Sequence, residues 1–339
     1  MQASSITNPN DPTVNPPPTD TVQCLKWAPV PSMNYLCGAG WDSKATIWEI
    51  SQTGQNAQKA QTTFTEPVLS VSWKNDITTV FTGSCNNQVG AWNLSSNQVQ
   101  NIGTHQAPVR EVLWCEEINH LISGSWDSTV AFWDTRNPRP TASVNLPGRV
   151  LGMSLQYPLL TAIISDKRFA VWNLNRLQQT TQPEISTDNT LKYQIRTIQC
   201  FNDAKGFGLG LIEGRVAMKK VTLEPTIRIE NEFTFKCHRD SQAHSINSIA
   251  FNKLYGTFVT GGSDGSFVFW DKINKSRLKN FTQLGGPVTA CDFKVDGSLF
   301  AYAIGYDWHK GITGASTPTP TKICYRVCTE EAKPKNWRG

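Results

Sequence analysis

"GSWDSTVAFWDT", residues Gly124–Thr135, decides the fold. A Trp-Asp-Ser turn is followed by a short run in which side chains alternate between two faces, as in a half-buried strand, and the run ends on Trp133. Trp133 stands six positions after the turn residue Asp127. The same offset separates Asp42 from Trp48, Asn86 from Trp92, Asp166 from Trp172 and Asp264 from Trp270. One further copy, "IEGRVAMKKV" at Ile212–Val221, keeps the ruler and changes the residues: Glu213 takes the turn position and Lys219 the tryptophan position.

The six anchors, at 48, 92, 133, 172, 219 and 270, lie 39 to 51 residues apart. Upstream of each is another strand signal: "QCLKWAP", "VLSVSWK", "VREVLWC", "VLGMSLQ", "IRTIQCF" and "INSIAFN". A seventh unit reads "VTACDFK", then "LFAYAIGYDW" and, past a Gly/Thr/Pro loop, "KICYRVC". Seven units of about four strands each predict an all-β, seven-bladed WD-repeat β-propeller. A ring must close without an open edge, and a segment near Thr13–Val14 is expected to complete the outer edge of the last blade. The organisation read from the chain is a Pro-rich segment over 1–19, partly extended and closing the last blade, a propeller over 20–330 and a basic tail over 331–339. The stretch from Asn8 to Thr19 carries too many prolines to build much core and is expected to be extended or mobile, with a ligand for a proline-reading domain as the other reading.

Composition agrees with an all-β chain. The 339 residues include 12 tryptophans, and only 17% are charged. A net charge of +5 permits an acidic partner or nucleic acid and demands neither. Nine cysteines, scattered through apolar strand-like runs, read as buried thiols of a reducing compartment rather than a disulfide framework. The first twenty residues have neither the basic nor the apolar region of a signal peptide, and no apolar run reaches 18 residues. Cytosol or nucleus is the expectation, with no membrane insertion and a monomeric state.

No catalytic constellation emerges. There is no P-loop, HExxH or dinucleotide fingerprint. Gly261-x-Ser263-x-Gly265 matches a nucleophile elbow in form but falls on a blade turn with no helix after it. Cys237, His238 and His244 fit no standard zinc spacing, so neither metal nor cofactor is expected. His105, Ser123, Asp127 and Trp133 can form the buried hydrogen-bond chain of a WD blade, and only the third blade shows all four members.

What remains is surface. Arg215 follows the turn of the fifth blade, either as a solvated cation or as a planar fork placed to grip a carboxylate. In "FTFKCHRD", strand alternation puts Phe235 and Cys237 on one face and Lys236 and His238 on the other, with Arg239 beyond. An aromatic among cations can stack a base or an apolar side chain; the same pattern also describes an outer strand with a solvated rim. "WDKINKSRLKN", with Lys272, Lys275, Arg277 and Lys279, can track a phosphate backbone or form a solvated hairpin tip. Trp41 and Trp126 stand at turn positions where small residues are usual, which marks an interface or packing against the next blade.

Taken together, "IEGRVA", "FKCHR", "GSWDSTVAFWDTR", "GGSDGSFVFWDK", "AYAIGYDWHKG" and "EEAKPK" resemble the nuclear-pore-associated mRNA export factor family of WD-repeat propellers, from about Asp20 to Lys335. The spindle-checkpoint propeller is a close relative of that family. The resemblance implies a non-enzymatic adaptor at the nucleus, the nuclear envelope and pore, and also the cytoplasm. It would capture the hairpin-forming GLEBS motif of a phenylalanine-glycine-repeat nucleoporin and support mRNA export. It implies that Arg215 pairs with a glutamate of that motif. From the residues themselves, Trp41, Trp126, Phe235, Lys236, His238 and Arg239 are expected to share the partner surface. The resemblance further implies a nucleic-acid groove at Phe235, Lys236, Trp270, Lys275 and Arg277. Other readings of the resemblance are a checkpoint adaptor binding such motifs in checkpoint kinases, and a propeller whose main task is to bind single-stranded RNA. Nothing is carried onto residues 1–19.

Overall fold

In the computed structural model, residues 5–7, 9–51, 53–137, 139–187, 192–316, 319–335 and 337 are described. Part of the expected N-terminal segment (1–4 and 8) and part of the expected tail (336, 338 and 339) lie outside them. Seven antiparallel sheets form a seven-bladed propeller in which each blade runs from an inner to an outer strand. The inner strands are Val22–Trp27, Val68–Trp73, Val109–Cys115, Val150–Gln156, Ile195–Cys200, Ile246–Phe251 and Val288–Phe293. Apolar side chains of adjacent sheets interlock to form the core; between the sixth and seventh blades Phe267, Phe269 and Phe281 meet Phe293, Phe300 and Tyr302.

An inner strand has no sheet neighbour on its channel side, so its edge amides need other acceptors. Side chains of the preceding blade supply them. The Trp114 amide donates to Ser72 Oγ and the Cys200 amide to Ser154 Oγ, each at 2.9 Å. At the junction of the seventh and first blades the acceptor is a carboxylate: the Trp27 amide donates to Asp292 Oδ2 at 2.9 Å. Burial pushes the Asp292 carboxyl up from its ordinary value, against the opposing pull of Lys26.

The ring closes where Thr13 bridges Cys324, flanked by hydrogen bonds from the Val14 amide to Ile323 O and from the Tyr325 amide to Pro12 O. The Pro-rich stretch is docked here rather than loose. Val14 is buried, Asp11 accepts from Tyr302 Oη at 2.8 Å and pairs with Arg326, and the Trp48 indole donates to Pro16 O at 3.2 Å. Its carbonyls turn from strand pairing to side-chain donors, a mode that proline tolerates because it needs no backbone N–H. Ser5–Thr7 pairs in parallel with Asn280–Thr282, so the sixth blade has five strands. The tail also differs from a free basic segment: Ala332 is buried, its carbonyl accepts from Thr257 Oγ1 at 2.7 Å, and Trp337 packs edge-on against Tyr255.

Candidate functional site

Every inner strand carries a bulge after its first residue, seen as a register slip at Val22/Cys24, Val68/Ser70, Val109/Glu111 and the four equivalent places. A bulge turns its extra side chain out of the ladder. Repeated around the ring, it aims one residue per blade into the mouth of the central channel. Five of these are polar: Gln23, Arg110, Arg196, Asn247 and Thr289. The turns between the second and third strands add Trp41, Trp126, Ile212 and the Tyr306–Trp308 segment, enclosing about 620 Å³.

The mouth is aromatic around its rim and cationic within. Trp41 is 39% exposed and its indole reaches only Gln23 Oε1, at 3.4 Å. Arg110 lies 3.4 Å from Glu111. Arg196 makes no hydrogen bond or ion pair among the described residues. Desolvation by the channel wall and then the like charge of Arg110 hold its pKa below the ordinary arginine value, with Asp307 pulling the other way. Two guanidiniums that line one channel mouth and repel each other favour an anion there. Sequence reading missed both arginines. The signal lies in the alignment of seven inner strands, where the second residue is out of register each time.

Arg215 opens the third strand of the fifth blade (Arg215–Thr222), three residues beyond Ile212 of the mouth. Gly214 makes the approach possible: its φ is +66°, and a Cβ there would fall 2.6 Å from Cys237 O. Arg215 Nε lies 3.4 Å from Glu213 Oε1, but the alignment is not that of a hydrogen bond, and this buried nitrogen has no acceptor. Arg239 shares the same carboxylate at 3.7 Å and is fixed by Glu213 O and Gly214 O. One glutamate therefore serves two arginines, and Lys236 faces Arg215 across the ladder. A net positive patch results.

His238 does not belong to it. The backbone turns left-handed at this residue, φ +48°, which breaks the strand alternation expected of "FKCHR" and sends the ring inward. Its side chain is 0% exposed, with Nδ1 at 2.9 Å from Asp264 Oδ1 and Nε2 at 2.8 Å from Thr260 Oγ1. The Trp270 indole donates to the same Thr260 Oγ1 at 2.9 Å. This is the chain seen in the third blade, where His105 Nδ1 meets Asp127, His105 Nε2 meets Ser123 and the Trp133 indole donates to Ser123. So two blades have it, not one. Threonine in place of serine and a longer entry loop, 26 residues from His238 to Asp264 against 22 from His105 to Asp127, concealed the second.

Lys219 does not belong to that patch either. It is buried at the end of the blade away from Arg215, in register with Phe207, and its ammonium lies 3.4 Å from Asn231 Oδ1. It adds no charge to the face.

A second grouping lies between the fifth and sixth blades. Phe235 packs on Trp270 at 4.8 Å between ring centres and on Phe233 at 6.1 Å, and Lys275 Nζ sits 4.8 Å above the Phe233 ring. Arg277 pairs in register with Trp270. Lys236, alternating with Phe235, points to the other side of its strand. Ser263 donates to the Asp307 carboxylate. No group of three or more potential metal ligands occurs among the described residues.

The WD domain, G-beta repeat model matches residues 96–134 and 230–271, the stretches that contain the two histidine chains. Curated relatives align over nearly the whole chain. The chain is 42% identical to protein RAE1 of Arabidopsis thaliana, over 98% of this chain and 95% of that protein. It is 37% identical to the poly(A)+ RNA export protein of Schizosaccharomyces pombe over 95% and 92%, and 38% identical to the mRNA export factor of Danio rerio over 95% and 90%. The chain belongs to the mRNA export factor family. The mouth of this member carries an aromatic rim and two channel arginines, and the Arg215–Arg239 pair shares the Glu213 carboxylate next to Ile212 of that mouth.

Proposed function

We propose that this protein is a non-enzymatic adaptor of mRNA export, acting at the nuclear pore and in the nucleus and cytoplasm around it. Its turn face captures a GLEBS-type hairpin of a phenylalanine-glycine-repeat nucleoporin. The observation that carries the reading is the under-neutralised arginine set beside exposed aromatics: Arg215 and Arg239 share one carboxylate, and Arg196 has none in contact. A preorganised face of this kind folds a disordered acidic peptide on contact, with carboxylates clamped by planar forks and apolar side chains seated on the tryptophans. The relatives' names favour export over a checkpoint adaptor with the same kind of face.

The test is calorimetric titration of the full chain with a GLEBS-type nucleoporin peptide. Reversing a desolvated charge contact costs about 2–5 kcal/mol, so Arg215→Glu should abolish measurable binding while melting as the wild type does. No binding by the wild type overturns the reading and transfers the question to checkpoint-kinase peptides.

A second reading, contact with single-stranded RNA, is favoured by the aromatic cluster of Phe233, Phe235 and Trp270, in which Phe233 stacks on Phe235 and Lys275 sits over the Phe233 ring. It concerns a different surface and is compatible with the first.

A further inference from the structure

The segment that leaves the seventh blade after Leu299–Ile304 is built in an unusual way. Trp308 is 57% exposed, more than any other tryptophan among the described residues, and its backbone is left-handed at φ +62°. A bulky residue stays in that conformation only when its surroundings impose it.

The neighbouring blades impose it. The Asp307 side chain, 3% exposed, accepts from Ser263 Oγ, from Asn247 Nδ2 at 2.8 Å and from His309 Nδ1 at 2.5 Å. Asn247 is the bulge residue of the sixth blade and Ser263 its turn residue, so one carboxylate ties the loop to the neighbouring blade. On the other side Thr21 of the first blade donates to Tyr306 O at 3.1 Å. Within the loop, Tyr306 Oη donates to Gly311 O at 2.6 Å, and a Cβ on Gly314 would fall 2.1 Å from that hydroxyl. The loop is pinned to both neighbours, and the outcome is an indole held in solvent at the rim of the channel mouth. Trp308 and the 41%-exposed Ile212 stand on that rim, with Arg110 and Arg196 inside it.

We infer that Trp308 is a preformed apolar anchor of the turn-face site and that Asp307 is the positioning residue that holds it there. The inference rests on the peptide-capture reading above and names what the mouth takes: a segment with an apolar side chain, which the Trp308 indole covers, flanked by carboxylates that meet the channel arginines. Rigid placement matters because an indole already fixed in its bound position loses little freedom on contact.

The experiment is a double-mutant cycle read by calorimetry, using the full chain and a GLEBS-type nucleoporin peptide. Trp308→Ala should weaken binding about 30-fold, the loss expected for a central aromatic anchor. Asp307→Asn places an amide donor against Asn247 and His309 and should weaken binding about fivefold, a modest loss since one acceptor oxygen is kept. In the Trp308→Ala background the same Asp307 change should cost less than about twofold, because a residue that acts through Trp308 has nothing left to position. Trp308→Phe, which keeps a ring at the position, should recover most of the affinity. Wild-type-like binding by Trp308→Ala, with Arg215→Glu still abolishing it, overturns this inference and leaves the parent reading standing. Additive losses overturn the role of Asp307. Failure of the wild type to bind overturns both readings.

Discussion

The fifth and sixth blades treat polar groups in opposite ways. In the sixth, His238, Asp264, Thr260 and Trp270 close on one another, so each buried donor meets an acceptor. In the fifth, the tryptophan is replaced by a buried lysine, no histidine chain forms, and Arg215 keeps a buried Nε with no acceptor. The contrast separates structure from function better than burial does. A closed network has nothing left to offer a partner, whereas an orphaned donor beside exposed aromatics is incomplete by itself. His238 and Arg239 are adjacent in sequence and fall on opposite sides of this divide.

The comparison breaks most readily at His238. Replacing it with alanine leaves the Asp264 carboxylate and Thr260 without their partner, and we expect a loss of about 3 kcal/mol in urea unfolding. The partner-binding arginines should be unaffected once the chain is folded. A stable His238→Ala protein that fails to bind peptide would contradict the division. In the third blade, Ser123→Ala, at the position that Thr260 holds in the sixth, removes one link but no charge; it should cost about 1–2 kcal/mol by the same unfolding measurement.

Acid gives a directional test of the third blade. Desolvation holds the His105 pKa below its ordinary value, outweighing the pull of Asp127. A histidine depressed in the folded state favours folding above its unfolded pKa, about 6.5, and that contribution is lost as pH falls through and below that value, because the unfolded chain takes up the proton first. Stability should therefore decline from about pH 6.5 downward, and His105→Gln should remove part of that slope. An unchanged slope in the variant would show that the ring is not buried in its neutral form.

The repeat was legible because a tryptophan at a fixed distance from a turn residue survives loop variation, and five blades keep it. Where that ruler lost its tryptophan, at Lys219, spacing gave the position, and the structure shows that the lysine occupies it as a buried residue, as the tryptophans of the first four blades do. The sixth-blade chain escaped because its histidine sits on an irregular loop and its hydroxyl comes from threonine. Arg110 and Arg196 escaped for a different reason. Nothing local distinguishes a bulged residue from its strand neighbours, and only closure of the ring makes seven such residues converge. Trp41 and Trp126 were visible because a tryptophan in a turn has no local reason to be there, and the structure places both at the channel mouth.

The smallest effect on stability should come from Lys275, and it sharpens the contrast from the other direction. Its ammonium lies over the Phe233 ring, outside any closed network, at a turn whose φ is +49°. An exposed cation–π contact is worth about 0.5–1 kcal/mol, so Lys275→Ala should lower stability by no more than that. If the aromatic group between the fifth and sixth blades stacks single-stranded RNA, the same substitution should weaken binding of an oligouridine and of a mixed-sequence oligonucleotide roughly equally and reduce the salt slope by about one. Fluorescence titration at two or three salt concentrations reads both quantities. A lost slope with intact stability makes Lys275 a member of the open class, with Arg215. An unchanged slope makes its seat on Phe233 a local packing arrangement, and the basic outer strand of the sixth blade a solvated surface.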